Sequence, residues 1–143
     1  LNVVNARAAA VGDCLASMLE MAGAEVSREF YVNDAGNQTD ILGASLEARY
    51  RQALGQDYPL PENSYRGEYL KDMAAALAAE KGSSLLELPD GERHEFFKSY
   101  ALGKIIEWQK KTLKDYGLTF DTWFSEVFAR HRRPQPSGGA PAR

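Results

Sequence analysis

One cysteine is all the chain has, Cys14, so an internal disulfide is excluded and no set of thiolates stands at metal-ligand spacing. Cys14 is expected to pack as a small apolar residue, which suits a reducing compartment. No run approaches the roughly 20 consecutive apolar residues that span a bilayer, and the N-terminal residues lack a signal-peptide pattern. A cytoplasmic, soluble protein without membrane contact is the expectation. Excess positive charge is also missing: 17 Lys and Arg stand against 20 Asp and Glu, a net charge of −3, which excludes binding to nucleic acid by bulk electrostatics. There is no internal repeat, glycine-rich phosphate loop, zinc pattern or nucleophile elbow. His94 and His131 have no partner at metal or catalytic-dyad spacing, so both read as surface residues and no metal is expected.

What is present is ordinary globular material, 143 residues with 44% hydrophobic and 26% charged side chains, enough for one domain with a modest core or for part of a larger one. From Asn5 to Ala22 apolar residues recur at three- and four-residue intervals (Ala8, Val11, Leu15, Met18, Leu19, Ala22), predicting a helix with one buried stripe, stopped by Gly23. Glu25 to Val32 alternates as a strand with one apolar face. "NDAGN", Asn33 to Asn37, is turn chemistry able to cap a helix beginning there. That second helix, striped by Ile41, Leu42, Leu46, Arg49, Tyr50, Ala53 and Leu54, ends at Gly55. A third spans about 65 to 81 with Tyr69, Leu70, Met73, Ala74, Leu77 and Ala78 on one side. The longest helix runs from an N-cap at Asp90 to Tyr116, seamed by Phe96, Phe97, Tyr100, Ile105, Trp108, Thr112, Leu113 and Tyr116. "LTFDTWF", Leu118 to Phe124, alternates as a second strand. A parallel pairing of the two strands would have to cross the whole helical stretch. Residues after about Arg133 carry no apolar anchor and are expected to form a flexible tail.

With these segments laid out, the chain resembles arginyl-tRNA synthetase, a class I synthetase, over about residues 2 to 126. "ARAAAVGDCLASMLEMAGAEVSREFYVNDAGNQ" is similar to that family's first helix, following strand and "YVNDxGxQ" loop. "SLEARYRQALG", "YRGEYLKDMAAALAAEKG" and "YGLTFDTWFSE" are similar to its later helices and strand, in the family's order. The resemblance implies a mostly helical α/β fold: a partial Rossmann-type nucleotide-binding core over residues 1 to 126, a helical insertion at about 39 to 116, and a basic, then Pro/Gly/Ala-rich, tail over 127 to 143. It also implies the family's activity, joining arginine to ATP and then to tRNA, with a His-[Ile/Val]-Gly-His signature at the first helix and a Lys-rich loop much later in the chain.

At the signature position stand Asn2, Val3, Val4 and Asn5. The family's histidines stabilise charge on the transferring phosphates, and losing one such donor costs about 100- to 1,000-fold in rate. Asparagine keeps a neutral donor but carries no proton charge near neutral pH. Val4 replaces a glycine that lets the backbone approach the purine, so ATP is not expected to bind in the family's manner and no cofactor is expected. The arginine-contacting strand, the Lys-rich loop and the anticodon-recognition domain are not in the sequence. The Ala, Arg, Pro, Ser and Gly bias of "VFARHRRPQPSGGAPAR" is what out-of-frame translation of GC-rich DNA yields, and suggests truncation by frameshift.

Asn2 and Asn5 read either as residual contacts to phosphate or another polar ligand, or as helix caps. Arg7, Gly12 and Asp13 match the family pattern, Gly12 being expected to permit close packing. Tyr31, Asn33, Asp34, Gly36 and Gln38 fill the "YVNDxGxQ" loop without substitution, and the resemblance puts them beside the active site; a turn and N-cap explains Asn33, Asp34 and Gly36 equally well. Arg130, His131, Arg132 and Arg133 could touch RNA phosphate or form a solvated tail. The expected function is a catalytically degenerate binding or interaction module, with a homodimer or protein partner covering exposed strand edges. The alternatives are one piece of a split arginine–tRNA ligase completed by another chain, and a binder of arginine or a nucleotide.

Overall fold

A computed structural model describes residues 3 to 127. Asn2, His131 and the tail after Val127 lie outside the described residues, as does the expectation of flexibility there. The elements run α1 (Val3–Met21), β1 (Glu29–Val32), α2 (Asn37–Ala53), α3 (Glu68–Lys81), a 3-10 turn (Ser84–Glu87), α4 (Asp90–Asp115) and β2 (Thr122–Ser125). They fall into two compact units, one from residues 1–35 with 114–143 and the other from residues 36–113.

The first unit joins α1 to a two-stranded parallel sheet, the crossover pairing that the helical stretch between the strands demands. In register, Glu29 faces Thr122, Phe30 faces Trp123, Tyr31 faces Phe124 and Val32 faces Ser125. β1 is only four residues long; Glu25 to Ser27, read as strand from their alternation, find no ladder partner. Phe30 stacks on Trp123 with centroids 4.4 Å apart, and Phe120 meets both edge-on, so one sheet face is closed by aromatics. Ala16, Val32 and Leu118 are buried around it.

α1 corrects the sequence reading. Its larger apolar residues Val11, Leu15, Met18 and Leu19 are all exposed, and Ala16 is the helix's buried residue. The periodicity is real, but the helix turns small residues inward. Cys14 is exposed rather than packed. Gly12 permits no close approach either, since a Cβ there would meet nothing within 4 Å.

The second unit is helical. Leu42, Leu46 and Tyr50 from α2, Leu70, Met73, Ala74 and Leu77 from α3, Leu85, and Phe97 and Ala101 from α4 form its core. The α3 stripe matches the sequence reading residue for residue, whereas at the end of the seam expected for α4 Trp108 stands exposed, as does Tyr116, which falls just past the helix. α2 and α4 approach closely at Gly43, where an added Cβ would lie 2.9 Å from the backbone N and Cα of Lys98. The Tyr50 hydroxyl donates to the Gly82 carbonyl. Glu47 accepts from Arg93 Nε at 2.8 Å and Arg51 Nη2 at 2.9 Å, tying α2 to the start of α4. Asp90 opens α4 within its first turn and pairs with Arg93 at 2.6 Å.

Among the described residues no helix is long and apolar enough to cross a membrane.

Candidate functional site

The first unit holds an open cleft of about 640 Å³ between α1 and the β1 segment. A run of small residues, Ala8, Ala9, Gly12 and Ala16, keeps the helical wall low, which is why a cavity remains there at all. Asn5 stands at one end of that wall. Tyr31 and Asn33 supply polar groups from β1 and the loop after it, and Phe30 and Phe120 give apolar surface. A mostly apolar cleft with a few convergent polar groups is the usual form of a small-molecule site.

Arg28 also lines the cleft, and sequence reading did not single it out. Its Nε donates to Asp13 Oδ1 at 2.9 Å, its Nη1 to Glu20 Oε1 at 2.6 Å, and its Nη2 reaches Ser17 Oγ at 3.3 Å. The hydrogen bonds from Glu20 and Asp13 hold the guanidinium above its usual range, and the bond to Arg28 holds the Glu20 carboxyl below its own. Its backbone N–H donates to Asp121 Oδ2 at 2.7 Å just before β2. Arg28 therefore ties α1, β1 and the entry to β2 together. Asp13, Ser17 and Glu20 follow at four- and three-residue spacing on one side of the helix, and that polar stripe facing a lone strand arginine was the available signal.

Of the residues singled out in sequence, Asn5, Tyr31 and Asn33 come together at the cleft. Val3, Val4 and Arg7 are exposed on the first turns of α1 and do not line it. Asp34 accepts the Val127 N–H at 3.0 Å, closing the far end of the sheet. With its amide turned to satisfy both neighbours, Asn33 donates to Glu126 Oε2 at 2.9 Å and to the Ala35 carbonyl at 3.3 Å. Gly36 and Gln38 are not among the lining residues. Gly36, not Asn33 or Asp34, takes the N-cap position of α2, with φ 95° and ψ −179°, and no side chain caps that helix. Thr39 Oγ1 donates to the Gly36 carbonyl at 2.7 Å.

His94 sits in the helical unit, 3.6 Å from Asp40, which also pairs with Lys98 at 2.9 Å. Asp40 is held below its usual range chiefly by the Lys98 hydrogen bond. Among the described residues no group of three or more His, Cys, Asp or Glu side chains is placed to hold a metal ion.

No protein-family model matches the chain. Comparison with a solved structure gives the class first: the mostly helical fold with its parallel strand pair superposes, with a TM-score of 0.74 and 28% identity, on a protein from Campylobacter jejuni assigned as an arginyl-tRNA synthetase, covering 88% of this chain and 28% of that one. The fold is thus that of an aminoacyl-tRNA synthetase-like fragment. Curated relatives make it particular. The chain is 51% identical over 128 residues to the arginine–tRNA ligase of Acetivibrio thermocellus and 48% identical over 127 residues to that of Shouchella clausii. It therefore carries a segment of the arginyl-tRNA synthetase family. It spans 23% of the length of each of these two relatives.

Proposed function

We propose that this arginyl-tRNA synthetase-like segment is a partial Rossmann-type unit that binds a small polar ligand, arginine in the first place, and does not catalyse aminoacylation unaided. The observation that carries the reading is the convergence of Asn5, Tyr31 and Asn33 on one cleft. Two of these belong to the loop whose "YVNDxGxQ" pattern is intact.

The cleft's charge favours a cation or a neutral polar group over a triphosphate. Among the described lining residues Arg28 is the one cation, and Asp13 and Glu20 already engage it. Glu29 contributes an exposed carboxylate at the start of β1. Among the described residues no histidine or lysine lines the cleft. Asn5 contributes an amide where the family's signature has a histidine.

Titration calorimetry with arginine, ATP and tRNA tests the reading. Heat with arginine and none with ATP is expected. Heat with ATP would contradict it, and silence with all three would favour a role in protein interaction.

A second reading, a component of an ATP-dependent arginine–tRNA ligase completed by further polypeptide, draws support from one fact. About half the residues are identical to ligases of which the chain spans under a quarter. Arginine-dependent charging of tRNA on adding the missing portion of such a ligase would favour it.

A further inference from the structure

Arg28 is anchored on two sides. Its backbone N–H donates to Asp121 Oδ2 at 2.7 Å, and its carbonyl accepts the N–H groups of Asp121 at 2.8 Å and Thr122 at 3.2 Å, which pins the residue to the entry of β2. Its side chain makes four hydrogen bonds to α1, one each to Asp13 and Ser17 and two to Glu20. A guanidinium carries five N–H groups, so this fork is spent on the helix and not on a ligand. The helix has little other attachment. Ala16 is its buried residue, and Ala8, Ala9 and Gly12 along the cleft are too short to hold it by packing.

The clasp begins at Asp13, and Asn5 stands eight residues nearer the start of the helix. At 1.5 Å of rise per residue that is a lever of about 12 Å. A tilt of roughly 10–15° about the clasp therefore carries the Asn5 amide about 2–3 Å, farther than a hydrogen bond stretches before it is lost. We infer that Arg28 is the positioning residue of the cleft: by clasping α1 it keeps the Asn5 amide within reach of the groups supplied by Tyr31 and Asn33, and so sets ligand affinity without touching the ligand. The inference rests on the reading that this cleft takes a small polar ligand. It gives a part in binding to Ser17 and Glu20, which do not line the cleft.

Calorimetry with arginine on folded variants, checked by circular dichroism, reads the affinity. Arg28→Met keeps the apolar stem without the fork and should weaken arginine by about 3- to 10-fold, the worth of one contact. Arg28→Lys restores one charge-assisted bond to α1 and should recover part of that loss. Glu20→Gln should weaken binding in the same direction from outside the cleft. Spin labels read the lever itself, placed at Val4→Cys and Thr122→Cys, both exposed, in a Cys14→Ser background. Their distance distribution should shift or broaden by about 2–3 Å in Arg28→Met and narrow again in Arg28→Lys. Should Arg28→Met not fold, Glu20→Gln supplies both measurements. An unchanged distribution would overturn the inference, as would arginine bound equally well by folded Arg28→Met, or a lysine variant no better than the methionine one. Absence of arginine heat on the wild type would instead overturn the ligand reading, and the distances would still decide whether Arg28 holds Asn5 in place.

Discussion

Arg28 Nε and Asp13 Oδ1 meet at 2.9 Å, and through this pair, fifteen positions apart in sequence, the first helix is clasped to the residue that leads into β1. The same guanidinium holds Glu20, so one side chain fixes the angle between α1 and β1. Arg28→Leu should loosen α1 selectively: amide hydrogen exchange should accelerate across Val3–Met21 and stay unchanged in α3, read by mass spectrometry. Equal acceleration in both would refute the clasp.

The pH dependence arises from the same contact. Glu20 has a folded-state pKa below its ordinary 4.5, lowered first by the Arg28 hydrogen bond. Asp40 in the helical unit is lowered below 3.8, first by Lys98. For a depressed carboxyl the stabilisation is present above the unfolded value and lost as pH falls through the folded one. Stability should therefore be flat from about pH 7 to 5 and fall below about pH 4.5. Glu20→Gln should shallow the fall in α1 exchange protection, and Asp40→Asn the fall in α2.

Gly43→Ala is expected to destabilise the helical unit by about 1–3 kcal/mol, because the new methyl meets Lys98 backbone at 2.9 Å and backbone cannot swing aside. Urea unfolding followed by circular dichroism measures it. Gly91→Ala, where a Cβ meets nothing within 4 Å, serves as the control and should not destabilise.

Tyr50→Phe removes the hydroxyl that bonds the Gly82 carbonyl; Tyr50 is fully buried but Gly82 is exposed, so the expected loss is that of one hydrogen bond, about 0.5–1.5 kcal/mol. Gly36→Ala should cost about 1–3 kcal/mol, since φ 95° with ψ −179° is essentially a glycine conformation. Both are read as shifts in the unfolding midpoint at constant slope.

At the cleft, Tyr31→Phe and Asn33→Ala should each weaken arginine binding by about 3- to 10-fold, the worth of one hydrogen bond. Arg7→Ala, exposed and outside the cleft, should leave it unchanged. Calorimetry reads all three.

Periodicity located every α-helix among the described residues, and the α3 stripe proved to be core because its residues join those of α2 and α4 in one apolar cluster. On α1 the same rule found the seam and mistook its direction. Spacing says which residues share a face, but only the partner decides which face is covered, and here Ala16 is covered while Leu15 is left exposed. The strands were legible by alternation, their limits less so, since a ladder ends where its partner ends. Tyr31 and Asn33 were legible as a loop pattern. Arg28 was not, because a strand arginine looks like solvent-facing alternation until the helix carboxylates are placed opposite it.

The parallel pair of β1 and β2 also sets an order of events. Arg28 bonds Asp121 and Asp34 bonds Val127 across 93 residues each. On a ribosome adding about 5–20 residues per second, β1 waits roughly 5–20 s for its only sheet partner among the described residues. Throughout that interval the helical unit can finish folding from its local contacts, while the nascent α1 remains an unclasped amphipathic segment, exposed to chaperones and proteases before its sheet exists.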